Sequence, residues 1–130
     1  MIYGVGTDIV EIARVKRVID KSERFLERFY SEKEQELIAG RKRRVETAAM
    51  NFAGKEAVAK AFRTGFTKGV AMEEIQILRD KDGAPVVKLL GRTKAFAKER
   101  GIEAIHISLS DTKELAMAYV VAETGGEKCE

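Results

Sequence analysis

The sequence predicts a single α+β domain, with a largely antiparallel sheet packed around a long central helix. Residues 1–10 are mostly apolar and predict a strand. Residues 43–63 carry apolar side chains at spacings of three and four, which is typical of one long helix. Beyond residue 75 the pattern changes to short apolar segments separated by turns. With 130 residues, 45% of them hydrophobic, the chain can bury one sizeable core.

Shorter helices are expected between the first strand and the long helix. Residues 11–20 predict the first, with Ile12, Val15 and Ile19 turned inward. Ser22 is placed to cap a second helix that ends near residue 30. Ser31 and Glu34 form the capping-box pattern that opens a third.

The second half of the chain predicts strands around one helix. Gly65 is expected to stop the long helix. Asp82-Gly83 lies between two apolar segments and predicts a hairpin. A helix over 93–100 and two strands over 104–110 and 115–121 are expected to follow. We therefore predict one domain over residues 1–122 and a polar C-terminal tail over 123–130.

Composition narrows the function classes. The 24 basic and 21 acidic residues give a formal charge of +3, too balanced to require nucleic acid but compatible with a cationic patch facing an acidic partner. The single cysteine, Cys129, fits a reducing compartment. Residues 1–3 lack the cationic start of a signal peptide, and no apolar run has membrane-spanning length. We expect a soluble, cytoplasmic protein.

Two carboxylates stand on apolar faces. Asp8 lies in the first strand, and Glu56 lies on the apolar stripe of the long helix. Buried carboxylates need a cation, a donor or a metal, and two together suit Mg²⁺ shared with a substrate phosphate. Zinc is disfavoured because the chain has one His and one Cys. Two ordinary alternatives remain open: Asp8 could cap the next helix, and Glu56 could pair with Lys60 on the helix surface.

Other polar groups could serve an anionic ligand. His106, Ser108 and Ser110 share one strand face, which is either a solvated face or a row of phosphate donors. Arg41–Arg44 form a basic run, suited to an anion or to solvent. A second cationic set would share one face of a continuing helix, as a solvated face or a docking surface for an acidic partner: Arg14, Arg17, Lys21 and Arg24.

Two motifs together resemble the holo-[acyl-carrier-protein] synthase family of 4′-phosphopantetheinyl transferases. The first is Gly4-Val-Gly-Thr-Asp8, followed by Arg14, which is similar to the family's G-x-D-[ILV] opening. The second is Phe52-Ala-Gly-Lys-Glu56-Ala-Val-Ala-Lys60-Ala, similar to its F-x-x-K-E-A-x-x-K-A helix. A weaker match is His106-Ile-Ser-Leu-Ser110. The order and spacing agree over residues 1–121.

The resemblance implies the 4′-phosphopantetheinyl transferase fold and a Mg²⁺-dependent activity in the cytoplasm. Phosphopantetheine would pass from coenzyme A to a serine of apo-acyl carrier protein, releasing 3′,5′-ADP, for fatty acid biosynthesis. Asp8 and Glu56 would bind the metal and, with Lys60, act in catalysis. Coenzyme A would contact Lys42, Lys55, Lys60, His106 and Ser108. The carrier protein would dock on Arg14, Arg17, Lys21 and Arg24. Members of the family are typically homotrimers with active sites at subunit interfaces.

The chain departs from the family pattern at three positions. Asn51 stands where an arginine often precedes the motif's phenylalanine, so a phosphate contact is either missing or supplied by Arg41–Arg44. Ala84 stands where a basic residue is favoured, and Asp111 replaces a frequent histidine. A small RNA-binding domain and a non-catalytic scaffold for an acidic protein are the alternative classes. The first would want exposed aromatics among its cations.

Overall fold

The computed structural model describes residues 1–125, and in these residues strands and shorter helices pack around one long helix. In chain order the elements are β1 (Ile2–Glu11), α1 (Ile12–Lys21), α2 (Arg24–Phe29), α3 (Glu32–Ala39), α4 (Arg44–Ala61), a 3-10 turn (Met72–Glu74), β2 (Ile75–Arg79), β3 (Pro85–Leu89), α5 (Gly91–Glu99), β4 (Ile102–Asp111) and β5 (Leu115–Thr124). The predicted α+β class with a long central helix is confirmed.

The strands form two antiparallel sheets rather than one. The larger has the order β1-β5-β4, and β2 pairs with β3 as a separate hairpin closed at Gly83. Helix α4 packs against the larger sheet and against β2, so the main core lies around this helix. Within residues 1–125, no helix combines the length and apolar character that crossing a bilayer requires.

Two of the predicted element ends differ from the structure for reasons that the backbone shows. Helix α4 ends at Ala61, before the expected residue 63, because Arg63 takes a left-handed backbone with a φ of 68°. Strand β5 continues to Thr124, so the predicted tail of 123–130 begins too early: Glu123 and Thr124 pair within the sheet. Residues 126–130, which include Cys129, lie outside the described part of the chain.

The start of α3 follows the predicted capping box. The Glu34 backbone N–H donates to Ser31 Oγ at 3.2 Å, and the Ser31 N–H donates to Glu34 Oε1 at 3.0 Å. At the preceding turn, Ser22 ends α1 in an extended conformation and accepts from the Arg24 N–H at 3.2 Å. The chain therefore changes direction between α1 and α2. The predicted Ser22 cap of α2 is wrong, because the N-cap is Glu23 and no side chain caps this helix.

Glycines in β1 allow it to lie directly on α4. A Cβ built on Gly4 would collide with the Ala61 carbonyl oxygen, and one on Gly6 would collide with that of Ala57. The helix backbone thus occupies the space that side chains would fill. Because alternate residues of a strand share a face, Asp8 points toward the same side as Gly4 and Gly6. This close approach brings the β1 carboxylate to the helix that carries Glu56.

Candidate active site

The structure brings Asp8 and Glu56 together in one cleft. The cleft has a volume of about 380 Å³, and Lys60 and Arg14 also line it. Its remaining wall is largely apolar and comes from β1, α1, α2 and α4, with side chains of Val10, Val15, Val18, Phe25 and Phe52. Two acids that are distant in sequence therefore share a small space that also contains two cations.

The charges in this cleft influence each other. Burial raises the pKa of Glu56, the nearby Asp8 carboxylate raises this pKa further, and Lys60 opposes both effects. Lys60 Nζ lies 3.2 Å from Asp8 Oδ1 and donates to the Thr7 carbonyl oxygen at 2.9 Å. Added positive charge between the carboxylates would relieve their repulsion. The arrangement favours binding of a cation.

Neither ordinary alternative for these acids is observed. The N-cap of α1 is Glu11, and no side-chain hydrogen bond caps the helix. Lys60 forms its ion pair with Asp8 of β1 and not with Glu56, which lies on the same helix as Lys60. Among the described residues Glu56 therefore forms no ion pair, and Lys60 occupies only Oδ1 of Asp8.

The donor set fits a hard divalent cation that is shared with a ligand. Over residues 1–125, no group of three or more His, Cys, Asp or Glu side chains could enclose a metal. A pair of carboxylates suits Mg²⁺, which commonly keeps water and takes further oxygens from substrate phosphates. Asp8 and Glu56 could hold Mg²⁺ in this way, whereas a closed zinc site has no ligands here.

Lys55 is placed differently from the prediction. Its side chain has no accessible surface, and its ammonium donates to Glu34 Oε1, to Met72 O at 2.9 Å and to Ile75 O at 2.6 Å. An ammonium fully enclosed by these acceptors has no donor left for coenzyme A. The predicted contact between Lys55 and coenzyme A is therefore wrong for this structure, and Lys55 joins α4 to α3 and β2.

Sequence reasoning missed that Glu34 is the centre of a buried polar network. Besides Lys55, its carboxylate accepts from Asn51 Nδ2 at 3.0 Å and from the Ile77 N–H at 3.2 Å. Glu34 is fully buried, although its capping-box position also fits an exposed helix start. The sequence held one signal: Lys55 lies among alanines, where a buried cation needs an acid.

His106 and Ser108 lie on the other face of the larger sheet from Asp8. Ser108 is in register with Tyr119, and Tyr119 is in register with Thr7, so these side chains share the face opposite to Asp8. His106 is exposed, and its Nε2 lies 2.8 Å from Glu123 Oε1. One chain alone does not bring His106 and Ser108 to the carboxylate cleft.

The sheet face opposite to Asp8 exposes several large apolar side chains to solvent. Large hydrophobic side chains of β1 and β5 are open to solvent there: Val5, Ile9, Met117 and Tyr119. They surround the register positions of His106 and Ser108. Grouped apolar exposure on one face is typical of a protein interface.

The cationic stripe is shorter than predicted. Arg14, Arg17 and Lys21 line a second cleft, of about 630 Å³, on α1. Arg24 begins α2 after the bend at Ser22, so the continuous face expected for all four cations is wrong. Arg14 lines both clefts and connects the cationic surface to Glu56.

The basic run lies at the turn before α4. Lys42 is exposed there. Arg43 pairs with Asp111 across 3.0 Å, so the aspartate that departs from the family pattern holds a cation of this run. Lys42 and Arg44 form no ion pair within the described residues. The turn therefore keeps positive charge available to an anion.

Comparison with known proteins decides the family. The model of the 4′-phosphopantetheinyl transferase superfamily matches residues 4–120. The chain belongs to this superfamily. A curated relative from Lachnoclostridium phytofermentans, named holo-[acyl-carrier-protein] synthase, is 47% identical over 123 residues, covering 95% of this chain and 97% of the relative.

Solved structures of phosphopantetheinyl transferases agree with the fold. The holo-[acyl-carrier-protein] synthase of Neisseria meningitidis matches with a TM-score of 0.90 and 35% identity, covering 95% of this chain and all (100%) of that one. The Helicobacter pylori synthase, solved in complex with coenzyme A, matches with a TM-score of 0.81 and 32% identity, covering 92% and 99%. The predicted family is confirmed.

Proposed function

We propose that this chain is a holo-[acyl-carrier-protein] synthase acting in fatty acid biosynthesis in the cytoplasm. The serine hydroxyl of apo-acyl carrier protein attacks the β-phosphate of coenzyme A. A serine O–P bond forms, the bridging P–O bond to the α-phosphate breaks, the serine loses its proton, and 3′,5′-ADP leaves. The observation that carries this proposal is the convergence of Asp8 and Glu56 beside Lys60 in one cleft.

The residues of the cleft would have different roles at the pyrophosphate of coenzyme A. Asp8 and Glu56 would hold Mg²⁺, which when bound neutralises phosphate charge and favours in-line displacement. Lys60 already lies 3.2 Å from Asp8, so its ammonium can turn from Thr7 O to a phosphate oxygen. Phe25 and Phe52 form an apolar wall beside these groups, which would reduce the access of water once the substrates are bound.

The binding site for coenzyme A would be completed by a neighbouring subunit. His106 and Ser108 are proposed phosphate contacts, yet they lie on the sheet face away from Asp8. A homotrimer joined through the exposed apolar face of β1 and β5 would bury that face and carry His106 to the cleft of another chain. This arrangement accounts for the apolar exposure and for the separation of the site residues.

Mixing two inactive variants tests the shared site. Glu56→Ala and His106→Ala homo-oligomers should each transfer poorly. After subunit exchange a fraction of sites should contain both intact residues, and activity should return. The measurement is the transfer rate before and after mixing, with sedimentation to verify a three-chain mass. If His106→Ala alone is fully active, or if mixing restores nothing despite exchange, the shared site is wrong.

The acidic carrier protein would dock on α1 beside the cleft. Arg14 lines the carboxylate cleft, and Arg17 and Lys21 extend the positive surface from it. Arg14→Ala should raise the KM for the carrier protein about tenfold at low salt, because a charge close to the reacting serine is lost. The KM for coenzyme A should change less. Lys33→Ala, an exposed cation on α3, is the control and should change neither.

Mass spectrometry tests the proposed function directly. Apo-acyl carrier protein incubated with this chain, coenzyme A and Mg²⁺ should gain the mass of phosphopantetheine. A non-catalytic scaffold would bind the carrier protein without a mass shift. An RNA-binding domain would retain RNA in a salt-dependent manner and would not bind coenzyme A.

A further inference from the structure

The buried network around Glu34 joins α4 to α3 and β2, and its members do not line the carboxylate cleft. Glu34 Oε2 accepts from Asn51 Nδ2 at 3.0 Å and from the Ile77 N–H at 3.2 Å. Its Oε1 accepts from the Ser31 N–H at 3.0 Å and from the Lys55 ammonium. These donors occupy all the lone-pair sites of the carboxylate, so they fix its position.

Lys55 also uses its whole hydrogen-bonding capacity in this network. In addition to the carboxylate, its ammonium binds the carbonyl oxygens of Met72 at 2.9 Å and Ile75 at 2.6 Å. One turn earlier on α4, Asn51 Nδ2 donates to Ile77 O at 2.9 Å. Two side chains on one face of α4 therefore bind the backbone of β2 and of the turn before it.

Most of the remaining buried surface of α4 is smooth. Helices are held in register by ridges of side chains that enter grooves, and small side chains form only shallow ridges. The directional hydrogen bonds of Asn51 and Lys55 supply the constraint on rotation that small side chains do not. Alanine or glycine occupies most of the buried positions of this helix: Ala48, Ala49, Ala53, Gly54, Ala57, Ala59 and Ala61.

The rotation of α4 determines where Glu56 points. Glu56 directly follows Lys55, so the two side chains leave the helix about 100° apart. Lys55 enters the buried network, and Glu56 lines the cleft with Asp8 of β1. A rotation of about 15° would move a side-chain end that lies about 5 Å from the helix axis by about 1.3 Å. Mg²⁺ takes oxygen ligands at about 2.1 Å, so such a shift would break a bond to the metal.

We propose that the buried network around Glu34 sets the rotation of α4 and so positions Glu56 for the metal that it would hold with Asp8. This inference rests on the function proposed above and deepens it. Glu34 and Lys55 become positioning residues of a site that neither of them touches. The two adjacent motif residues then have complementary roles, because the lysine orients the helix and the glutamate binds the metal.

Removing both buried charges together separates positioning from stability. The double variant Glu34→Gln and Lys55→Met keeps similar side-chain volumes and leaves neither charge buried alone, so the protein should still fold. It loses the ammonium bonds to the Met72 and Ile75 carbonyl oxygens. Mn²⁺ binding in the presence of coenzyme A, measured by electron paramagnetic resonance, should weaken at least about tenfold, because groups behind a metal ligand orient it.

Glu34→Asp is the second variant, and it decides the question if the double variant does not fold. It keeps the charge that faces Lys55, but its carboxylate is withdrawn by one carbon–carbon bond, about 1.5 Å. Its Mn²⁺ binding should weaken at least about threefold, and less than that of the double variant. Mn²⁺ binding within about twofold of wild type in every variant that folds would overturn the inference.

Ile102→Ala is the matched control for lost stability, since Ile102 is buried at the start of β4, outside the network and the cleft. It should lower the thermal midpoint and keep the Mn²⁺ affinity of wild type. If it weakens Mn²⁺ binding as much as the double variant does, lost stability explains the effect and positioning is wrong. Transfer to the carrier protein is measured separately on the same preparations. Mn²⁺ binding that depends on the network, in a wild type without transfer, would reject the proposed function and keep the positioning role.

Discussion

Replacing Glu56 with alanine is expected to lower the transfer rate at least about 100-fold while the fold stays intact. The variant keeps Asp8 and Lys60, but a single carboxylate cannot clamp the cation that offsets the pyrophosphate charge. Stability should be unchanged or slightly higher, because burial and Asp8 already raise the pKa of Glu56 and the substitution removes this unfavourable charge. The measurements are the transfer rate at saturating Mg²⁺ and the thermal midpoint.

A matched acid elsewhere controls for general charge effects. Glu36 is exposed on α3, and Glu36→Ala should leave both quantities near wild type. Substantial transfer by Glu56→Ala at saturating Mg²⁺ would show that the helix carboxylate is not needed for the reaction. Such a result would remove the main support for the proposed chemistry.

Replacing Lys55 with alanine is expected to lower the free energy of unfolding by about 3–5 kcal/mol. The substitution leaves Glu34 as a buried carboxylate without its cation and removes the ammonium donor from the Met72 and Ile75 carbonyl oxygens. Burial lowers the pKa of Lys55, and the negative charge of Glu34 opposes this effect and so favours the charged ammonium. Denaturant unfolding, monitored by circular dichroism, measures the loss.

Lys60 is the natural control because it is the other lysine of the motif. Lys60→Ala should change the free energy of unfolding by less than about 1 kcal/mol, since its ion pair with Asp8 is partly exposed. Its transfer rate should nevertheless fall strongly. If instead Lys55→Ala unfolds like wild type, the buried network around Glu34 does not carry the stability assigned to it.

Local sequence signals predicted the elements and the carboxylate pair. The Ser31 and Glu34 spacing was enough for the capping box because both hydrogen bonds form within one turn. Asp8 and Glu56 were found because carboxylates on apolar faces need partners. The two carboxylates come together because Gly4 and Gly6 allow β1 to lie close to α4, which is a contact between residues distant in the sequence.

Lys55 and Lys60 have separate roles because their side chains leave α4 in different directions, and the sequence does not determine which direction faces the core. They are five residues apart, so they point about 140° apart around the helix. Helix α4 is buried on most sides and rich in alanine, so its periodicity does not tell which side faces β2 and which faces β1. Only the packing assigns one lysine to the core and the other to the cleft.

The break in the cationic stripe has a similar cause. No glycine or proline separates Lys21 from Arg24, so local propensity allowed one helix. The turn at Ser22 lets the partly buried Phe25 pack against a second hydrophobic cluster, which includes Val15 and Ile19 of α1, and stack on Phe52 with ring centroids 5.9 Å apart. Burial of this aromatic side chain outweighs the continuation of α1.

Manganese binding measured by electron paramagnetic resonance tests the central claim, that β1 and α4 hold one divalent ion together with coenzyme A. Wild type should bind Mn²⁺ in the presence of coenzyme A, and Asp8→Asn and Glu56→Gln should each weaken this binding at least about tenfold. Equal Mn²⁺ affinity in wild type and both variants would contradict the account.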